Sequence, residues 1–455
     1  MFENVLGQGA ASQIILDIKA SALAPAMLFL GPPASGKGTA ALELGRIISC
    51  EEENAEHRAA WNCACPSCLR HRLLLHPDLL CLGWRAFSAE IAASAGSFLR
   101  ETAAKEASRL LFIRSVRKLL CRFNPALWED DPKSSKISPL VYSLEEDLDE
   151  FEQSEIGGKN SAEKSVNAIL KGAFKLESEG IAETIPIAQL RRAAWWSRLA
   201  PSGRGKLLII ENADRMQEEG RNSLLKLLEE PPVRLSIVLT TSRPGSLLPT
   251  IHSRVRPYRF GARDSATEDE VIRRVFRDNV KGLRIGDYLD SFLPVSRETL
   301  SALAAFFASS AAYKAVLLAK RQGSPQPVQA VLLGKHCAPK AEEAGLGKPQ
   351  SDTYAVISLV LEKAGKFEIR SLFTRFLRCL LDEVSLSQRE VSSDHFPGGQ
   401  TAFYELWMNS IAWAENAVGV YNLRPAQGME KIFTDLSRGM AELSQGRQNL
   451  PGGLK

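Results

Sequence analysis

The sequence predicts an α/β fold in which a parallel sheet carries a phosphate-binding loop, followed by helical domains. Three observations predict it. Ala26-Met27-Leu28-Phe29-Leu30 is a short apolar run that leads directly into Gly31-Pro32-Pro33-Ala34-Ser35-Gly36-Lys37-Gly38-Thr39, placing GxxxxGK between a strand and a helix. Leu207–Ile210 is a continuous apolar run, as expected of a central strand covered on both faces, and it ends in Glu211 and Asn212. Leu235–Thr240 is another such strand, ending in Thr240-Thr241-Ser242-Arg243.

Composition sets the bounds. With 455 residues, 45% of them apolar, the chain can fill the cores of two to four domains. A net charge of +4 excludes a strong non-specific grip on nucleic acid by the chain alone, so any DNA contact is expected to be local or shared with partners. Neither an export signal nor a run of about 18 uncharged apolar residues is evident, which gives the expectation of a cytoplasmic protein without a membrane partner.

The elements follow in order. Met1–Ala24 reads as an amphipathic helix through Ile14, Ile15, Ile18 and Leu23. In the loop, the glycines let backbone N–H groups face a phosphate, the helix N-terminus adds its dipole, and Lys37 can reach phosphate oxygens. Gly31, Gly36, Lys37, Gly38 and Thr39 are therefore the candidate nucleotide-binding residues, against the alternative of an inherited empty loop. Gly38 stands where Ser or Thr supplies a hydroxyl to Mg²⁺, with Thr39 one place further along. Cys50, Cys63, Cys65 and Cys68 then cluster, whereas the other four cysteines are scattered. In a reducing compartment that clustering favours a tetrahedral structural Zn²⁺ over disulfides, the alternative being four reduced thiols. Cys63-Ala64-Cys65 is tight spacing, which leaves His57 or His71 as possible substitutes. His76 reads as a turn residue.

Residues 85–184 read as an inserted helical arm with a partly disordered acidic stretch at Glu145–Glu155. Phe98–Cys121 has helical spacing and a basic side, interpreted as a solvated face or as a partner of the acidic run rather than a DNA contact. Trp195 and Trp196 cannot face one side of a helix, so one is expected in the core and one at a contact between subunits. Asn222–Glu230 forms an amphipathic helix that Pro231-Pro232 ends.

The stretch Lys206–Pro232, KLLIIENADRMQEEGRNSLLKLLEEPP, together with LLPTIHSRV at Leu247–Val255, resembles the clamp-loader subunits of bacterial DNA polymerase III, of the AAA+ class. The NADRM version of the strand end is closer to the delta-prime subunit than to the ATP-hydrolysing gamma/tau subunit. The resemblance covers about 200 residues of the nucleotidase core well and the C-terminal third loosely. It implies an AAA+ core at 1–84 and 185–262 with a zinc module at 50–68, an insertion at 85–184 and a helical lid at 263–330. A linker at 331–353, a helical collar domain for oligomerisation at 354–445 and a tail at 446–455 complete the expected order. It further implies gamma/tau-like and delta-like partner subunits, a sliding clamp and primed DNA.

Within that resemblance Arg254 matches an arginine finger delivered to ATP on the neighbouring subunit. Its alternative role is a salt bridge at a helix end. Glu211 can replace Asp as a Mg²⁺-facing carboxylate, but Asn212 cannot accept a proton from water. With Gly38 lacking a hydroxyl and the usual Asn missing near Thr241, ATP/Mg²⁺ binding is possible and hydrolysis by this chain is expected to be weak or absent. The competing readings are a gamma/tau-like motor and, from GKGT alone, a P-loop small-molecule kinase, which leaves the cysteines, the LLKLLEEPP helix and Arg254 unexplained.

Overall fold

The computed structural model describes residues 1–54, 57–102, 105–129, 131–154, 159–182, 184–367, 370–389, 399–419 and 423–443. The chain divides after Leu293 into two compact units.

In the first unit, β1 (Ala26–Leu30), β2 (Leu79–Gly83), β3 (Lys206–Glu211), β4 (Leu235–Thr241) and β5 (Arg256–Arg259) form one parallel sheet in the order β2-β3-β4-β1-β5. The sheet with its flanking helices is consistent with the α/β class expected. The central strands are apolar on both sides because both faces are covered. Met27, Phe29, Leu207, Ile209 and Val238 pack with Ile14, Ala40 and Leu44, so the helices Gly9–Lys19 and Lys37–Ile48 cover one face.

On the opposite face Leu28, Leu80, Leu82, Leu208, Ile210, Ile237 and Leu239 pack against Phe87, Ile91, Phe98, Phe112 and Val116. These side chains come from residues 85–184, which were expected to be an arm. They form four long helices, Ser88–Arg100, Lys105–Leu120, Ser134–Gln153 and Lys159–Gly180, that share one core with the sheet. The acidic stretch is helical up to Gln153, because Leu144, Leu148 and Phe151 give it a buried stripe at helical spacing; residues 155–158 lie outside the described ones.

The expected lid also divides. Ile272 and Phe276 pack with Ala93, Ile285 and Tyr288 in the first unit. Leu300, Leu303, Phe306 and Phe307 lie on Arg297–Arg321 in the second unit, a helix buried on most of its circumference. It is long and apolar enough to cross a membrane by length and composition, but 72% of its most apolar window is buried within the protein. A helix apolar all round needs neighbours on every side. Val328–Glu343, Arg370–Arg389 and Pro425–Leu443 supply them. Val328–Glu343 occupies much of the expected linker: Ala330, Leu333, Cys337 and Ala341 recur at helical spacing and are buried, despite Gly334 and Pro339. Tyr421, Asn422 and the tail 446–455 lie outside the described residues.

Candidate functional site

The loop after β1 turns into the helix Lys37–Ile48 through Gly36, whose φ of +94° is in the left-handed region. That conformation favours glycine, and a Cβ there would also lie 2.8 Å from Arg263 Nη2. Gly31, at φ +156°, abuts the Phe260 carbonyl, which a Cβ would meet at 2.2 Å. Lys37 Nζ donates to the carbonyls of Gly31 at 2.7 Å and Pro32 at 2.6 Å, and to Ser35 Oγ at 3.3 Å. Burial lowers its pKa to about 8. Thr39 occupies the first turn of the helix. Arg263 donates from Nη1 to the Ala34 carbonyl and from Nε to Leu6 O at 3.2 Å, so an arginine from the start of the expected lid does reach the loop.

The acid at the end of β3 is not free. Glu211 is buried, accepts from Arg85 Nη1 at 3.4 Å on Oε1, and contacts Arg122 Nη2 through Oε2. Burial opposes its ionisation, but Arg122, Arg85 and Lys118 outweigh that effect and hold its carboxyl below the ordinary range. Arg85 and Lys118 also both pair with Glu90, whose pKa they lower to about 2 against the opposing effect of burial. Arg122 Nε and Nη1 are buried and have no hydrogen-bond partner among the described residues. A Cβ on Gly38 would lie 2.7 Å from Glu211 Oε1 and 3.1 Å from Arg85 Nη1. Residue 38 therefore lacks the usual Mg²⁺-directed hydroxyl, and the tips of a carboxylate and a guanidinium lie against it.

Asn212 has φ +50°, and its side-chain amide donates to Trp84 O at 2.7 Å, securing the chain just beyond β2. Thr241 Oγ1 donates to Asp214 Oδ1 at 2.5 Å. Sequence reasoning missed Arg85 and Arg122 as site residues. The available signal was that Arg85 lies two places after β2, at the carboxyl ends of the strands where ligands of such sheets bind.

All four clustered cysteines converge. Cys50 Sγ lies 3.8 Å from Cys63 Sγ and 4.0 Å from Cys65 Sγ, and all four sulfurs lie within 4.8 Å of one another. A tetrahedral Zn–S distance of about 2.3 Å sets a sulfur–sulfur edge of about 3.8 Å. The donor set and its dimensions therefore fit a closed four-thiolate site, and the tight Cys63–Cys65 spacing does not turn a sulfur away. Ala59 N donates to Cys50 Sγ at 3.2 Å and Arg46 Nη1 to Cys68 Sγ at 3.4 Å, the outer-shell pattern that steadies thiolates. His71 is not part of the cluster; it is buried and stacked on His76 at 4.1 Å. His76 Nδ1 accepts from Asp78 N at 3.1 Å, which makes it a turn residue.

Arg254 follows the short helix Pro249–His252. It pairs with Glu229 through Nη2 at 2.7 Å and Nε at 3.0 Å, and donates to Thr250 O at 2.9 Å. Its side chain remains about one-third exposed, as does much of Glu229. Trp196 is buried, whereas Trp195 is 52% exposed, so the pair divides between core and surface. Of the basic residues expected on a solvated face or paired with the acidic run, Arg117 pairs with Glu152 and Arg109 donates to the carbonyls of Phe151, Glu152 and Ser154, all in that run.

A family model described as DNA polymerase III, delta subunit, matches residues 147–264. Over 87 residues the chain is 32% identical to the DNA polymerase III subunit gamma/tau of Mycobacterium tuberculosis (strain ATCC 25618 / H37Rv), covering 19% of this chain and 15% of that one. It is 44% identical over 70 residues to the DNA polymerase III subunit delta' of Bacillus subtilis (strain 168), covering 15% and 21%. For the delta' subunit of Pseudomonas aeruginosa (strain PAO1) the identity is 37% over 82 residues, covering 18% and 25%. The chain thus spans no more than a quarter of the length of these relatives. A solved DNA polymerase III gamma subunit-related protein from Thermotoga maritima aligns over 56% of this chain and 80% of its own, at 20% identity and a TM-score of 0.29.

Proposed function

We propose that this chain, a relative of the DNA polymerase III clamp-loader subunits, is a delta-prime-like member of such a complex. It would assist an ATP-driven hetero-oligomer of gamma/tau-like and delta-like subunits in placing a sliding clamp on primed DNA, and would act in the cytoplasm. Its own contribution to turnover is structural. The observation that carries this reading is the pairing at the metal position: Glu211 is neutralised by Arg85 and Arg122, and residue 38 has no hydroxyl. Asn212 has no basic atom to take a proton from water, and its amide is bound to Trp84. ATP hydrolysis in this class depends on metal, water and a polarising base together, so this chain is not the motor.

Arg254 is the candidate finger for a neighbour's ATP. Its exposed pair with Glu229 is of the kind worth about 0–1 kcal/mol, so the guanidinium can leave it for a γ-phosphate at little cost. The cluster Cys50, Cys63, Cys65 and Cys68 would hold a structural Zn²⁺, since four protein ligands leave no position for water. A gamma/tau-like motor would require hydrolysis without a free acid at Glu211. A small-molecule kinase leaves the cysteine cluster and Arg254 without a role. The test is reconstitution: clamp loading on primed DNA is expected to fail when this chain is omitted from the complex and to return when it is added. Full loading without it would overturn the proposal.

A further inference from the structure

The charges around the phosphate loop are those of a site that has replaced its metal with protein. Arg85 Nη1 stands 3.1 Å from where a Cβ of residue 38 would be, the place from which a hydroxyl is normally aimed at Mg²⁺. Glu211, the acid that would face that ion, has one oxygen on Arg85 and the other on Arg122. Gly38, Arg85, Lys118, Arg122 and Glu211 line one cavity. Arg85, Lys118, Arg122 and Lys37 face Glu211 and Glu90, with Glu177 acting on Arg85 and Asp214 on Lys37. A divalent cation placed beside residue 38 would meet the Arg85 guanidinium at close range, with Glu211 already paired. A polyphosphate on the loop would meet charge opposite to its own, with the Arg85 guanidinium nearest residue 38 and Arg122 buried behind it, two of its N–H donors unpartnered among the described residues. Arg85 keeps about a quarter of its side chain exposed, so it can be reached from solvent.

We propose that Arg85, held by Glu211 and Glu90, takes the divalent-cation position of this loop, so that the chain binds a nucleoside polyphosphate as the metal-free anion. The inference rests on Gly31–Thr39 being a phosphate site, and it deepens the reading of a non-hydrolysing subunit: a nucleotide held by guanidinium groups lacks the metal that organises hydrolysis. The residue is placed by the fold, because the chain leaves β2 at Gly83, where φ is +101° and a Cβ would meet the Glu211 carbonyl at 2.1 Å.

The test is equilibrium binding of ATP to the full-length chain, in EDTA and in excess MgCl₂, with wild type, Arg85→Ala, Arg85→Gln and Lys37→Ala. Wild type is expected to bind ATP at least tenfold more tightly in EDTA. Both Arg85 variants should lose that preference, and Lys37→Ala should lose binding. Two substitutions at Arg85 guard against one that misfolds, and the wild-type comparison stands without either. Tighter binding with Mg²⁺, binding in neither condition, or binding that survives Lys37→Ala would overturn the proposal. None of these results bears on whether the chain joins the complex, which assembly with the gamma/tau-like subunit measures separately.

Discussion

Glu211→Gln should destabilise the first unit by about 3–5 kcal/mol, and Arg122→Met by only about 1–3 kcal/mol. The asymmetry comes from what each change leaves behind. Among the described residues Glu211 is the one carboxylate paired with Arg122, which otherwise lies over the Phe87 ring and whose Nε and Nη1 are buried without hydrogen-bond partners. Removing the carboxylate leaves a buried guanidinium unpaired, and breaking a buried pair in this way typically costs about 3–5 kcal/mol. Removing Arg122 instead leaves Glu211 still bound to Arg85 at 3.4 Å, and it relieves two unpaired donors whose burial costs about 1–3 kcal/mol each. The double variant should be less destabilised than the sum, with a coupling energy above about 1 kcal/mol. Urea unfolding followed by tryptophan fluorescence is the assay, because five of the seven tryptophans lie in the first unit. Equal losses for the two single variants, or a Glu211→Gln variant as stable as wild type, would refute the claim that Glu211 is what neutralises Arg122.

Two further predictions follow from the loop and the cysteines. The purified chain should release one equivalent of zinc to a thiol-blocking reagent, as read with a colorimetric chelator; Cys68→Ser should carry none and unfold at lower temperature, whereas a metal-free, fully stable native protein would remove the site. ATP affinity should fall as pH rises through about 8, because burial lowers Lys37 to that value and the phosphate grip requires its ammonium form. For stability the sign is opposite: between about 8 and the unfolded value of 10.5 the folded chain binds fewer protons at Lys37, so this group alone makes stability rise with pH. An affinity unchanged between pH 7 and 9.5 would separate Lys37 from phosphate binding.

How much of this was legible in the sequence depended on whether the determining interactions were local. β1, β3 and β4 were visible as apolar runs, because a strand covered on both faces needs no partner to be recognised. The loop and the four cysteines were visible because their chemistry lies in close spacing. Pairing of the basic stretch with the acidic run was expected and occurs at Arg117–Glu152, but the packing of both against the sheet was not legible. Arg117 and Glu152 lie 35 residues apart and Arg122 and Glu211 lie 89 apart, so only tertiary structure makes them partners. The same distance hid Arg122 as a site residue, although the basic stretch that ends beside it had been noted. The helix Val328–Glu343 was hidden differently: Gly334 and Pro339 suggested a linker, while its four buried positions kept helical spacing throughout. A local breaker was overridden by burial against Arg297–Arg321.

The central claim is that this chain supports a neighbour's ATP hydrolysis without performing its own. The direct measurement is the DNA- and clamp-stimulated ATPase rate of the complex reconstituted with a gamma/tau-like subunit, comparing wild type, Lys37→Ala and Arg254→Ala in this chain alone. The account predicts a fall of about 10³-fold at the neighbouring site with Arg254→Ala, the scale of a lost arginine finger, and little change with Lys37→Ala. A large loss with Lys37→Ala and none with Arg254→Ala would contradict it and make this chain a motor in its own right.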